Sequence, residues 1–91
     1  MFEKIRKLLG SRAVEILFAL EGGPLCFREL AQRVGGSNTT IVMRLRDLEE
    51  LALIKREKTA RFPFKHSISL TEKGRKLVPL LKRIIRILED T

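Results

Sequence analysis

Hydroxyl, amide and guanidinium groups crowd one short stretch of this 91-residue chain: Ser37, Asn38, Thr39, Thr40, Arg44 and Arg46, with Met43 among them. A second stretch, residues 55–65, sets Lys55, Arg56, Lys58, Arg61 and Lys65 against Glu57 alone, a local charge of +4. Groups of this kind bind phosphate oxygens and base edges; they do not pair a nucleophile with its base. Little else in the chain could do catalysis. His66 is the single His and Cys26 the single Cys, so neither a four-ligand zinc site nor an internal disulfide can form. No glycine-rich phosphate loop is present. We therefore expect no enzyme, no metal and no cofactor.

The whole chain is basic, with 19 Lys+Arg against 11 Asp+Glu, a formal net charge of +8 and a pI near 10.4. That balance in a small domain points to a polyanionic partner, of which nucleic acid is the commonest. At 44% hydrophobic the chain is too apolar for a disordered basic tail. Its length makes one domain that buries about 60–65% of its unfolded surface, a marginal core that a partner surface would help. The longest apolar run, residues 16–20, is far short of the ~20 residues a bilayer span needs. The first seven residues hold no signal-peptide core. The expectation is a cytoplasmic, nucleoid-associated protein with no membrane contact.

The elements that must position these groups are legible from periodicity. Residues 2–9 set Phe2, Ile5, Leu8 and Leu9 on one face of a short helix that Gly10 ends, with Ser11 placed to cap the next. That next helix, residues 12–21, has too wide an apolar arc for the surface and belongs in the core. Gly22-Gly23-Pro24 stops it. A second short helix carries Phe27, Leu30, Ala31 and Val34 inward, with Glu29 where a capping-box carboxylate reaches back to the first backbone N–H. After Gly35-Gly36, Ser37 opens a third helix to about residue 51, with Ile41, Leu45, Leu48 and Ala52 as its core stripe. Residues 53–57 and 66–70 read as two strands, and Thr71 caps a long final helix to about residue 90.

The fold class is mainly α with a small β-hairpin: a winged helix-turn-helix with an N-terminal helix and a long C-terminal helix. Residues 1–10 form the N-terminal amphipathic helix, 11–70 the winged-helix domain (helix-turn-helix 27–52, wing 53–70), and 71–91 the dimerisation helix. One α-helix fits a major groove about 12 Å wide. At 100° per residue, Thr39, Met43 and Arg46 point away from the core stripe, with Thr40, Val42 and Asp47 beside them. Arg46 suits a bidentate contact to guanine, Met43 an apolar contact to a thymine methyl, and Ser37 and Asn38 a phosphate at the helix start. Arg44, nearer the core edge, is expected on phosphate or in a salt bridge. In the hairpin, Lys55, Lys58, Arg61 and Lys65 can follow the backbone, with Arg61 or Lys65 entering the minor groove. The final helix spaces Leu77, Leu81, Ile84 and Leu88 by 4, 3 and 4 residues, a homodimer seam to which Phe2, Ile5 and Leu9 add.

Residues 27–54, from Phe27-Arg28-Glu29-Leu30-Ala31 through Ser37-Asn38-Thr39-Thr40-Ile41 to Leu45-Arg46-Asp47-Leu48-Glu49-Glu50-Leu51, resemble a winged-helix transcription regulator. Ser69-Leu70-Thr71-Glu72-Lys73-Gly74-Arg75, with Leu77 and Pro79-Leu80-Leu81 after it, is similar to the wing end and dimer helix of the HxlR group, and more loosely to MarR-type regulators. The resemblance spans residues 11–88. It implies a homodimer that binds double-stranded DNA, with Ser37, Asn38, Thr39, Met43 and Arg46 at recognition-helix positions and Arg61 and Lys65 at wing positions. HxlR-type proteins usually carry a Cys ahead of the first core helix, and this chain has none there. Cys26 precedes the second helix instead, so a thiol sensor is not implied. The ligand pocket of MarR-type proteins needs longer helices than this chain supplies. Two other readings compete: a winged-helix module that bridges proteins in a larger assembly, and a sequence-neutral chromatin or RNA-binding protein.

Overall fold

Apolar spacing decides which side of each helix is buried, and the first full helix of the core shows it. In the computed structural model, which describes residues 1–58 and 66–90, α1 (Glu3–Leu8) is followed by α2 (Ala13–Ala19). Ala13, Ile16 and Leu17 of α2 are fully buried, so this helix lies at the centre as its wide apolar arc requires. Gly22-Gly23-Pro24 cannot prolong it, and the chain tightens into a 3-10 turn at Leu20–Gly22. In α3 (Phe27–Val34), the Cys26 N–H donates to Glu29 Oε1 at 3.1 Å, the expected capping-box bond. Gly35 and Gly36 take φ of 77° and 86°, which lets the chain reverse in two residues before α4 (Asn38–Glu50).

The hairpin pairs β1 (Ile54–Lys58) antiparallel with β2 (His66–Leu70), Ile54 facing Leu70 and Arg56 facing Ile68. Ile54, Ile68 and Leu70 are buried, as alternation dictates. Leu25 adds a third, one-residue strand by exchanging backbone hydrogen bonds of 2.9 and 2.8 Å with Ile68. A single residue carries no alternation, so this strand has no sequence signature. Two local expectations also need correction. Arg12, not Ser11, is the N-cap of α2, and it makes no side-chain cap bond. Ala52 is exposed rather than part of the core stripe, because α4 ends at Glu50 and Ala52 turns left-handed with φ 60°.

That left-handed residue completes a helix-end motif. Ala52 N–H bonds to the Glu49 carbonyl at 2.9 Å and Leu53 N–H to the Leu48 carbonyl at 3.0 Å, which satisfies two of the last carbonyls of α4. The carbonyls that follow the helix, from Leu51 to Leu53, are taken by the start of α5 (Glu72–Glu89). Thr71 caps α5, accepting from Gly74 N–H at 3.0 Å, while its hydroxyl donates to the Ala52 carbonyl at 2.6 Å. Lys73 Nζ donates to the Leu51 carbonyl at 3.1 Å, and Thr71 N–H to the Leu53 carbonyl at 3.0 Å. Gly74 is buried against that same Leu53 carbonyl, so closely that a Cβ would stand 2.2 Å from its oxygen.

The final helix divides into two faces. Val78 and Leu81 are buried in the chain's own core, at 1% and 5% exposure, and Leu77 is half-buried. Leu81, expected in the dimer seam, is therefore taken up by the chain's own core, while Leu77 lines a surface groove with Ile5 and Leu8. The apolar side chains left in solvent are Leu80 and Ile87, about a third of a turn from Leu81, and Ile84 and Leu88, which continue the Leu77–Leu81 stripe into the second half of the helix. Of the expected seam residues, Ile84 and Leu88 stay on the exposed face, and so do Phe2, Ile5 and Leu9 of the N-terminal segment. Leu8 is buried instead, tying α1 to the core.

Gly74→Ala is expected to destabilise the fold by about 1–3 kcal/mol, because α5 must move off the Leu53 carbonyl to admit the methyl. Urea unfolding of the two proteins side by side measures this; an unchanged midpoint would mean that α5 does not sit against α4 in this way.

Candidate nucleic-acid interface

A helix can present a reading face only if its other face is fixed. Ile41, Leu45 and Leu48 of α4 are all at 0% exposure, which fixes the roll of the helix about its axis. Ser37 fixes the start: Thr40 N–H donates to Ser37 Oγ at 3.1 Å, and the Ser37 hydroxyl donates to Thr40 Oγ1 at 2.9 Å. Opposite the buried stripe, Thr39, Met43 and Arg46 are exposed, Met43 at 49%, with Val42 exposed beside them and Asn38 exposed at the helix start. The structure thus brings Thr39, Met43 and Arg46 together on one outward face, the arrangement inferred from spacing. Ser37 is exposed at the helix start, and Thr40 is half-buried in the cap.

Arg44 stands elsewhere. Its Nη1 donates to Asp47 Oδ2 at 2.7 Å, with the two side chains only 20% and 23% exposed. It runs under the loop between α1 and α2, where a Cβ on Gly10 would lie 2.8 Å from the same nitrogen. Of its two expected partners, phosphate or a carboxylate, it has the carboxylate. Arg44 is a strut under the helix rather than part of its outer face, and its membership of the candidate DNA contacts is corrected accordingly. Glu50, at the far end of α4, forms an ion pair with Lys7 of α1. That hydrogen bond and the attraction of the ammonium hold the Glu50 carboxyl below its ordinary value of 4.5, and Glu50 in turn raises Lys7 above 10.5.

The hairpin cations divide by alternation. Arg56 shares a face with Ile54 and reaches back to Glu49 of α4 at 2.5 Å. Lys55 is on the opposite face, paired with Glu57 at 3.0 Å, in a cleft of about 510 Å³ shared with Ser67, Ser69 and Arg75. It lies on the face of the hairpin opposite the one that Arg56 turns to α4. Lys58 has the parity of Arg56 and is exposed at the end of β1, opposite His66, which is exposed as well. Arg61 and Lys65, with Phe62, Pro63 and Phe64, lie outside the described residues. Sequence reasoning missed the ties made by Arg56 and Lys7. The period-2 rule applied to β1, as it was to β2, separates Arg56 from Lys55; the Lys7 contact has no local signal. Among the described residues no group of three or more His, Cys, Asp or Glu could hold a metal ion, and no helix is long and apolar enough to cross a membrane.

A buried three-helix core, a two-glycine turn into an exposed-faced helix and a following hairpin define a winged helix-turn-helix domain. The model of the HxlR-like helix-turn-helix family matches residues 8–90, and the chain belongs to that family. It is 32% identical over 74 residues to an uncharacterised HTH-type transcriptional regulator of Halalkalibacterium halodurans, covering 80% of this chain and 66% of that protein. The chain thus spans just under two thirds of that relative's length. Its fold is similar to the reduced form of the transcriptional regulator YodB from B. subtilis, at 29% identity and a TM-score of 0.81, covering 92% and 84% of the two chains. A MarR-family regulator from Enterococcus faecalis shares the fold, with a TM-score of 0.85 at 23% identity over 94% of this chain and 79% of the other.

The Lys7–Glu50 pair gives a pH signature with a definite sign. The lowered carboxyl contributes stability that is present above its unfolded value and is lost as pH falls through the depressed one. The raised ammonium loses its contribution only above 10.5. The difference in urea midpoint between the protein and its Glu50→Gln variant should therefore be flat through neutral pH and shrink as the pH falls below 4.5. A difference that persists in acid would show that the ion pair is not its source.

Proposed function

We propose that the protein is a sequence-specific, double-stranded-DNA-binding transcription regulator that acts as a homodimer on the chromosome in the cytoplasm. The observation that carries this reading is the outward trio Thr39, Met43 and Arg46 on a helix whose opposite stripe is wholly buried. Such a helix enters the major groove and reads base edges with side chains near its N-terminus. Ser37 and Asn38 stand where a flanking phosphate comes within reach of the helix start, and Lys58, Arg61 and Lys65 supply the wing's charge to the backbone. The dimer seam of this reading is Leu80, Ile84, Ile87 and Leu88 of α5, with Phe2, Ile5 and Leu9. Two copies joined there present two reading helices about 34 Å apart to successive major grooves of a pseudo-palindromic site.

Selection of bound duplexes from a random pool tests the reading as a whole; a dyad-symmetric consensus supports it. On such a site Arg46→Ala should cost about 1–3 kcal/mol and relax preference at one base position. Equal loss on every duplex would remove Arg46 from base reading. Ile84→Asp should convert the dimer to monomer in sedimentation equilibrium, and a variant that stays dimeric would place the seam elsewhere.

A further inference from the structure

Two non-glycine residues take positive φ among the described residues, Ala52 and Arg12. Ala52 is repaid by the two backbone bonds that close α4. Arg12, with φ 69° and ψ −2°, closes the turn in which the Ala13 N–H bonds the Gly10 carbonyl at 3.1 Å, so the backbone accounts for its conformation but not for its side chain. It occupies the N-cap of α2, where an acceptor side chain is useful, and a guanidinium has only donors. Asn or Asp would tolerate the left-handed region and cap the helix too. Arg12 also places a cation at the positive end of α2, which the helix dipole disfavours. Its one salt bridge among the described residues, Nη1 to Glu15 Oε2, is 3.8 Å long between half-exposed side chains, a pair that solvent screens.

Where the side chain goes is informative. It crosses to the turn of the helix-turn-helix and lies along Gly36, its Nε 3.2 Å from where a Cβ on that residue would stand. Gly36 immediately precedes Ser37, so the guanidinium lies beside the turn that leads into α4. A cation at a helix start that favours an acceptor, together with this placement against the helix-turn-helix turn, calls for an anion from outside the chain. We infer that Arg12 is a phosphate-binding residue of the DNA interface, its guanidinium gripping a backbone phosphate at the edge of the groove that α4 enters. The inference rests on the DNA-binding reading above. The contact reads no base; it sets affinity, salt dependence and how deep α4 sits.

The test uses the full chain with Arg12→Asn and Arg12→Lys. Arg12→Asn should have a urea midpoint equal to or above that of the parent. Its affinity should fall about tenfold, equally on selected and random duplexes, and the slope of log K against log salt should drop by about 0.9 for the one lost phosphate. Arg12→Lys should keep the parent slope. If the parent binds duplex DNA and Arg12→Asn matches it in affinity and slope, the assignment of Arg12 alone is overturned. A lowered midpoint with an unchanged slope also overturns it, because Arg12 then acts on the fold. A parent that binds no duplex overturns both this assignment and the function it rests on.

Discussion

A helix that presents a reading face must be held at its far end as well as along its underside, and α4 is held there by the first turn of α5. The last carbonyls of any helix need partners. Two of those of α4 are met by the Ala52 and Leu53 N–H groups, and the carbonyls just past its end, of Leu51, Ala52 and Leu53, receive the Lys73 ammonium, the Thr71 hydroxyl and the Thr71 N–H. The approach is close enough that only a glycine fits at position 74. This gives the Leu70-Thr71-Glu72-Lys73-Gly74-Arg75 segment a physical meaning residue by residue. Leu70 anchors it in the core, Thr71 caps one helix while bonding the end of another, and Glu72 complements the dipole of α5. Arg75 Nη1 returns to the Leu70 carbonyl at 3.1 Å. The orientation of α4 relative to α5, and with it the geometry of any assembly through α5, is set in these few residues.

The net charge of +8 acquires a pattern once pairs are subtracted. Lys7, Arg44, Arg56 and Lys82 each tie one element to another or brace a helix, to Glu50, Asp47, Glu49 and Glu21 respectively. Three of these four bear on α4, so carboxylates of the reading helix are spent on holding it rather than left to repel a polyanion. Arg46 makes no salt bridge among the described residues, and its position on the exposed face is the opposite of that of Arg44 two residues earlier. The two arginines show how a helical offset of 200° separates an outward side chain from a brace.

Most of the fold was legible because the apolar residues keep strict periods. Ile41, Leu45 and Leu48 gave the roll of α4 and hence its outward trio, and Ile68 and Leu70 gave the inward side of β2. What escaped was whatever depends on contacts remote in sequence. Leu25 becomes a strand only because Ile68 is beside it, and Arg44 is withdrawn only because the Gly10 loop lies over it. The apolar stripe of α5 divides for a related reason. Leu77, Leu81, Ile84 and Leu88 form one stripe by spacing, yet the first half of α5 spends its stripe on the chain's own core. A wide apolar arc on one helix says that two surfaces are to be covered; it does not say which residues cover which.

α1 connects these two surfaces. On one side it is fixed to α4 through Lys7 and Glu50 and to the core through Leu8. On the other it leaves Ile5 exposed, with Phe2 and Leu9 flanking it, each worth about 1.5–3 kcal/mol once fully buried. In the proposed dimer a second copy covering that face presses on a six-residue helix that already touches the reading helix. α1 is too short to be stable alone, so its order depends on what it packs against. In the proposed dimer, the short helix that adds apolar area to a marginal core stands between the seam and the Glu50 end of α4, so both surfaces depend on its being ordered.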